Sequence, residues 1–442
     1  MTLPTSESTG TTRRAQRALE HNGGGPIRHG QQRPHRALPT ILKIVAAALA
    51  VVLVSGASVA TYATWNVTNN LAAGGIDITP DDDSEPPAVG AIVGGFNMLV
   101  VGVDNDSSQG DQYGFRSGTL NDVNMLIHVS SDHTSATVVS LPRDLIVSHP
   151  ECTNPMTKVV NSALYAAPLN DAQSRGGLAC VVKTVAELTG LKIPYAAQIS
   201  FNGVVKMTNA IGGVPVCLAT AINDSDTGLH LKAGTHKLSG QTALEFLRTR
   251  HGVGDSSDLA RISSQQIYLS SLIKTVKTNG TLTDVTKLYK LATAASKNVH
   301  LSTSLSSLDT MVSMAQAASS INLDELAFVQ YPGSTGNASY PGKVVPNTVL
   351  ADEIFSAIKA DKPVVLADGS IRGGSAVLST ATPTATSTTP ATATSTPTAT
   401  PTTPTATTTA PATTAPVTPK PTKTVSGGTG IMGNDTACVV GS

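Results

Sequence analysis

The chain has 442 residues, of which 14% are charged and 3% aromatic, and its 30 basic side chains balance 30 acidic ones. Without net charge there is no general attraction for nucleic acid, so an anionic partner must be gripped by a local site. The length exceeds one average domain, but low-complexity ends take up much of it.

Residues 1–43 are rich in Gly, Arg and His without an apolar period, and read as a basic, disordered cytoplasmic tail. From Ile44 to Trp65 no residue is charged, a length that spans a hydrocarbon core of about 30 Å as a helix. Arg13, Arg14, Arg17, Arg28, Arg33, Arg36 and Lys43 precede it, and Asp81, Asp82, Asp83 and Glu85 follow. The positive-inside rule then predicts a single-pass anchor over 44–65 in the cell membrane, with the N-terminus cytoplasmic and the rest extracellular. A cleaved signal peptide, cut near Ser58-Val59-Ala60, is the alternative; the long basic leader and long apolar run favour the uncleaved anchor.

Residues 66–94 form an extracellular stalk, and 95–368 a globular domain. Within it Asn97–Val103, Asn124–Val129 and Ala136–Leu141 have strand length and composition. Val181, Val182, Val185 and Leu188 share a helical face that Gly190 ends. Ile211 to Cys217 reads as a helix stop, a turn and a strand, and Gln241–Phe246 as a short helix. Ile262, Leu269, Leu272, Ile273 and Val276 mark another helix, with Asp258 as its N-cap. Strands interleaved with helices predict an α/β fold, an α-β-α sandwich around a mixed central sheet. Residues 369–424 are a Thr/Pro/Ala-rich spacer that cannot bury a core, and 425–442 a Gly-rich tail with Cys438.

Cys152, Cys180, Cys217 and Cys438 lack zinc-like spacing and suit an oxidising compartment. Three pairings are open to them. Cys152 with Cys180 is preferred, because it clips the loop after Pro142-Arg143-Asp144 to the next helix, leaving Cys217 for Cys438. Buried free thiols are the alternative.

The candidate site residues sit at strand ends and helix starts, where α/β sheets hold anions. Asp104 ends the first strand and Asp122 directly precedes another; two such carboxylates suit Mg²⁺ arriving with a phosphate, although Asp also caps turns. Arg143 offers a planar fork for phosphate oxygens, and Asp144 orients it or takes a proton; a surface ion pair is the bland reading. Arg248 and Arg250 point the same way if Leu247–His251 is extended, and diverge by about 200° if the helix continues. Arg261 and Gln265 share a face of the helix starting at Asp258, and Lys158 is a candidate for another phosphate contact, with a solvated lysine as the bland reading. No Walker A loop is present.

These strings, Gly102-Val-Asp104, Asn121-Asp122 before a strand, Ser140-Leu-Pro-Arg-Asp144, Lys158-Val-Val-Asn161, Gly212-Gly-Val214, Arg248-Thr-Arg250 and Asp258-Leu-Ala-Arg261-Ile-Ser-Ser-Gln265, resemble the LytR–CpsA–Psr family of cell-wall ligases over nearly the whole globular domain. The resemblance implies a Mg²⁺-dependent enzyme that takes a glycopolymer from a polyprenyl-pyrophosphate carrier and joins it to peptidoglycan through a phosphodiester. By carry-over Asp104 and Asp122 are the metal-associated acids, and Arg143, Lys158, Arg248, Arg250, Arg261 and Gln265 the pyrophosphate clamp. Three departures thin the cations: Leu120 and Ser264 stand where the family has Arg, and none follows Asp104 near Asn105. Arg116 is the candidate to replace the first. A non-catalytic scaffold that binds glycopolymer or lipid pyrophosphate, and a pyrophosphatase that releases the carrier, are the competing functions. Transcriptional control fits poorly with an extracellular, neutral domain.

Overall fold

A computed structural model describes residues 75–78, 94–105, 113, 118–155, 157–278, 285–306, 308–366, 375–377, 423–425, 429–435 and 437–442. The expected anchor at 44–65 and Arg116 lie outside the described residues. Among those that are described, no helix is long and apolar enough to cross a membrane.

In chain order the first strands are β1 (Phe96–Val103), β2 (Asn121–Val129), β3 (Ala136–Leu141), β4 (Ile146–His149), β5 (Cys152–Thr153), β6 (Val160–Asn161) and β7 (Leu164–Pro168). Helix α1 (Ala172–Thr189), β8 (Tyr195–Ser200), α2 (Phe201–Ile211), β9 (Val214–Leu218), β10 (Ile222–Asp224), β11 (Leu229–Leu231) and β12 (Gly234–Leu238) follow. Then come α3 (Gly240–Arg248), α4 (Asp258–Thr278), α5 (Val285–Asn298), β13 (Val299–Leu301), α6 (Leu308–Ser320), β14 (Leu326–Gln330) and α7 (Thr348–Lys359).

The central sheet runs β13-β8-β1-β2-β3-β14, and the strand Thr429–Met432 from the C-terminal tail closes its edge. It is mixed: β1 pairs antiparallel with β2 and parallel with β8, and β3 pairs parallel with β14. The period-2 alternation of β1 divides two cores. Leu99, Val101 and Val103 face one core, with Leu178, Val181 and Val185 of α1 and Ile354, Phe355 and Ile358 of α7. Met98 and Val100 face the other, with Ala243 and Phe246 of α3 and Ala260, Ile267 and Tyr268 of α4. The result is the expected three-layer α-β-α sandwich.

The second strand starts three residues earlier than its apolar run suggests, so Asp122 lies inside β2 and not before it. Gly102 opposes Val123 while Val103 opposes Asn121, which leaves Asp122 as the extra residue of a β-bulge. A bulge bends the strand and re-aims the side chain it carries.

Disulfides join Cys152 to Cys180 and Cys217 to Cys438. Both ends of the expected spacer are paired: Ser375–Val377 with Ala437–Val439 of the tail, which itself pairs with β9, and Lys423–Val425 with Val364–Leu366 of the domain. In the expected stalk, Ile76 bridges to Ser302.

Candidate active site

Five charged side chains meet where β2 begins, β3 ends and α4 starts. Arg143 Nη1 donates to Asp122 Oδ1 at 2.8 Å, and its Nε lies 3.4 Å from Asp144 Oδ2 and 3.6 Å from Asp258 Oδ1. Arg261 Nη2 lies 2.6 Å from Asp258 Oδ1 and donates to the main-chain carbonyl of Asp122 at 3.2 Å. A narrow cleft between β2, β3 and α4 is lined by Asp122, Asn124, Ser140, Arg143, Arg261 and Gln265, among others.

Local sequence explains this convergence. Pro142 ends β3, so Arg143 projects from a turn whose carbonyl accepts from Asn170 N–H. Helix α4 is capped by Ser257, whose Oγ accepts from Ala260 N–H, and not by Asp258. Asp258 therefore occupies the first helical turn, where a carboxylate favours the helix dipole and is free to pair with Arg261 three residues on.

Electrostatics separates the two arginines. Burial pulls the Arg143 guanidinium down, but Asp122, Asp258 and Asp144 outweigh it and the group is held above its ordinary value. Arg261 is 6% exposed and lies below its ordinary value, because burial and the nearby Arg143 and Arg250 outweigh Asp258 and Asp122. The Nε atoms of both make no hydrogen bond. A cluster with buried cationic donors to spare is suited to an oxyanion with several oxygens.

Of the remaining expected residues among those described, only Gln265 lines the cleft. Asp144 Oδ1 accepts from Lys343 Nζ at 2.6 Å, a partner the sequence reading did not name. Gln265 lines the cleft and donates to Leu247 O at 2.9 Å, holding the C-terminal end of α3. Helix α3 ends at Arg248, so neither simple case for the two arginines holds: Arg248 is the last helical residue and Arg250 lies in the segment beyond. Arg248 Cζ stacks 4.5 Å from the Phe201 ring centroid and 5.7 Å from that of Tyr113. Arg250 Nη2 lies 3.2 Å from His251 Nε2. Lys158 is exposed with φ 58°, in the turn between β5 and β6, and does not line the cleft. Ser264, at the position where the family pattern has Arg, is buried and bonds Ala260 O within its own helix.

Asp224, also unnamed in the sequence reading, organises the Arg250 segment. Its Oδ2 accepts from Arg250 and Gly252 N–H at 3.1 and 3.3 Å, and its Oδ1 from Asp226 and Thr227 N–H at 3.0 and 3.4 Å. The signal for it is the Asn223-Asp-Ser-Asp-Thr-Gly228 string, a turn motif with Asx acceptors.

Asp104 is 3% exposed and accepts from Leu120 N–H at 2.9 Å, just beyond the bulge. Mg²⁺ typically takes one or two carboxylates and completes its shell with phosphate and water oxygens. Asp104 and Asp122 are donors of that kind at neighbouring strand ends. Among the described residues no group of three His, Cys, Asp or Glu forms a cage. A pair of carboxylates is a donor set that fits a cation arriving with phosphate oxygens.

A mixed sheet between helix layers, with paired Asp and Arg side chains in a cleft where β2 begins and β3 ends, is an α/β architecture with its polar cleft at strand ends. The chain belongs to the LytR_cpsA_psr family, whose model matches residues 62–356, more than half of it. It is 32% identical over 231 residues to the cell wall biosynthesis protein LcpA of Corynebacterium glutamicum, covering 47% of this chain and 44% of that one. It is 26% identical to the polyisoprenyl-teichoic acid–peptidoglycan teichoic acid transferase TagT of Bacillus subtilis, over 56% of this chain and 73% of TagT. The matches span about half the length of the first curated relatives. A crystal structure of a Streptococcus agalactiae protein superposes with a TM-score of 0.49 at 22% identity, covering 61% of this chain and 88% of that one.

Proposed function

We propose that this chain is a membrane-anchored, extracellular phosphotransferase that moves a glycopolymer from a polyprenyl-pyrophosphate carrier to peptidoglycan through a phosphodiester bond. The observation that carries the reading is the Asp122–Arg143–Asp258–Arg261 cluster in the cleft where β2 begins and β3 ends. Family membership and the names of LcpA and TagT support the choice of cell-wall polymer.

Arg143, braced by three carboxylates, turns its fork from Asp122 toward the diphosphate oxygens; Arg261 supplies fixed positive charge behind it. Arg250, whose charge is felt by Arg261, and Arg248 at the end of α3 would complete the clamp on the donor. An acceptor hydroxyl attacks the sugar-proximal phosphorus and polyprenyl phosphate departs. The hydroxyl proton passes to one of the carboxylates beside Arg143, Asp122 or Asp144. Mg²⁺, held by Asp104 and Asp122 with the substrate, would neutralise charge on the phosphate oxygens. The partly buried Leu269, Leu272 and Ile273 of α4, against the second core, are the proposed lining for the lipid.

The test is the full chain in proteoliposomes with a short-chain polyprenyl-pyrophosphate glycan and a peptidoglycan oligomer, with Mg²⁺ or with chelator. Mass spectrometry should show the phosphodiester product only with Mg²⁺. Free phosphorylated glycan would replace the transferase by a hydrolase, and bound donor without product would replace it by a scaffold.

A further inference from the structure

Four of the six large apolar side chains that are exposed among the described residues fall between positions 159 and 165: Val159 at 55%, Val160 at 54%, Leu164 at 39% and Tyr165 at 93%. Scattered exposed apolar residues need no explanation, but a cluster does. Leu164, Tyr165 and Ala166 are consecutive strand residues and all exposed. Successive strand side chains point to opposite faces, so protein covers neither face of β7 there.

This projection is braced. The Cys152–Cys180 disulfide ties β5 to α1. Asn161 Nδ2 donates to Arg175 O at 2.6 Å, Arg175 Nη2 returns a bond to Ser162 O, and Ser148 Oγ donates to Tyr165 O at 2.8 Å. The apolar side chains are thus presented on a fixed scaffold. That scaffold grows out of the site: β4 begins two residues after Asp144 and pairs with β7.

We infer that the β4–β7 projection, with Val159, Val160, Leu164 and Tyr165 at its tip, docks on the lipid bilayer and sets the Arg143 cleft at headgroup height. Two valines, a leucine and a tyrosine beside Lys158 form an interfacial composition, apolar bodies with polar and cationic tips. Lys158, Arg175 and Lys183 stand against Glu151 and Asp171, a slight basic excess. A sugar polymer would ask for carboxamides and hydroxyls at the tip instead of branched hydrocarbon. The anchor lies close along the chain: between Trp65, where the uncharged stretch ends, and Ile76, which is bridged to Ser302 of the domain, a coil would span only ~17 Å and keep the domain near the bilayer. The four residues of β4 separate the tip from the Arg143 turn by about 13 Å, so a tip sunk about 5–10 Å into the interface leaves that turn just above it, at the headgroups. The inference rests on the membrane-anchored reading of the chain and not on the transfer reaction.

The test uses the full chain in proteoliposomes. Trp65 is the only tryptophan, so Trp65→Phe with Tyr165→Trp places a single reporter at a fully solvated aromatic position. Blue-shifted emission, quenched by lipids brominated near the carbonyls and shielded from aqueous iodide, is the expected result. Emission at the water-exposed wavelength, quenched by iodide and not by the lipids, overturns the inference. A blue shift without lipid quenching also overturns it, and points to a second copy of the chain over the tip. Failure of the chain to float with the vesicles would remove the anchored reading itself, an outcome distinct from a solvated hairpin. None of these readouts depends on transfer activity.

Discussion

Arg261 binds the main-chain carbonyl of Asp122 at 3.2 Å, while the Asp122 carboxylate accepts from Arg143 at 2.8 Å. The backbone of the bulge is held by a buried arginine, and its side chain by a half-buried one. The two arginines touch the same residue but do different work, so their removal should be read on different instruments.

Removing Arg143 should cost activity more than stability. Its side chain is 22% exposed, and water can enter to solvate the freed carboxylates. Arg143→Ala should cut transfer by on the order of a hundredfold or more, the usual loss for one preorganised charge donor. Arg250→Ala should behave alike. Product formation by mass spectrometry, beside a thermal melt, checks both; near-wild-type transfer in the two variants would remove the clamp from the proposal.

Removing Arg261 should cost stability first. Asp258 would be left with its carboxylate in a nearly closed site, and deleting one member of a buried ion pair costs about 3–5 kcal/mol. Arg261→Ala should therefore unfold at markedly lower denaturant. The double variant Arg261→Met with Asp258→Leu should recover much of that stability without recovering transfer. If the double variant is as unstable as the single one, the pair is not the source of the loss.

The sandwich was legible because Leu99, Val101 and Val103 alternate with residues packed on the opposite core, and because the α1 stripe is periodic. The start of β2 was not. Its first residues are Asn and Asp, and the bulge that keeps them in the strand is a property of pairing with β1. Arg143 and Arg261 were legible as charged residues at element ends. Lys343 was not, since it reaches Asp144 from 199 residues away along the chain. Asp224 carries a turn signal, but that it serves the segment between α3 and α4, 26 residues further on, is a property of tertiary packing. The tail offers a Cys as a signal, but its edge strand Thr429–Met432 is Gly-containing and weakly apolar. Gly430 is required there because a Cβ would collide with the carbonyl oxygen of Phe328 on β14.

Asp224 gives a pH prediction. Burial pushes its carboxyl up, but the N–H groups of Arg250, Asp226, Gly252 and Thr227 outweigh that and hold it below the ordinary range. A depressed folded value means that Asp224 stabilises the Arg250 segment fully above the unfolded value of about 3.9, and that this is lost as pH falls through the folded value. Amide exchange at Arg250 and Gly252 should stay protected from neutral pH down to about 4 and rise only below it. Asp224→Asn turns an NH₂ toward N–H donors, so it should deprotect both amides at neutral pH and erase the acid step. Unchanged protection in the variant would show that the segment is held by something else.

The C-terminal tail should behave as part of the domain. Cys217–Cys438 closes a separation of 221 residues. Beyond Cys438, Val440 O accepts from Gly254 N–H at 2.9 Å, Ser442 N–H donates to Gly252 O at 3.1 Å, and Ser442 Oγ donates to His251 O at 2.7 Å. The tail therefore braces the segment that follows Arg250, in addition to Asp224. Cys438→Ser should lower stability by about 2–4 kcal/mol, the typical worth of a disulfide that closes a long loop. It should also open the 250–254 segment to limited proteolysis and weaken transfer less than Arg250→Ala does. Reduction of the wild type should reproduce both effects, while Cys152→Ser should leave the 250–254 segment protected. A Cys438→Ser protein that melts and is cleaved like the wild type would show that the tail is held by its strand pairing alone.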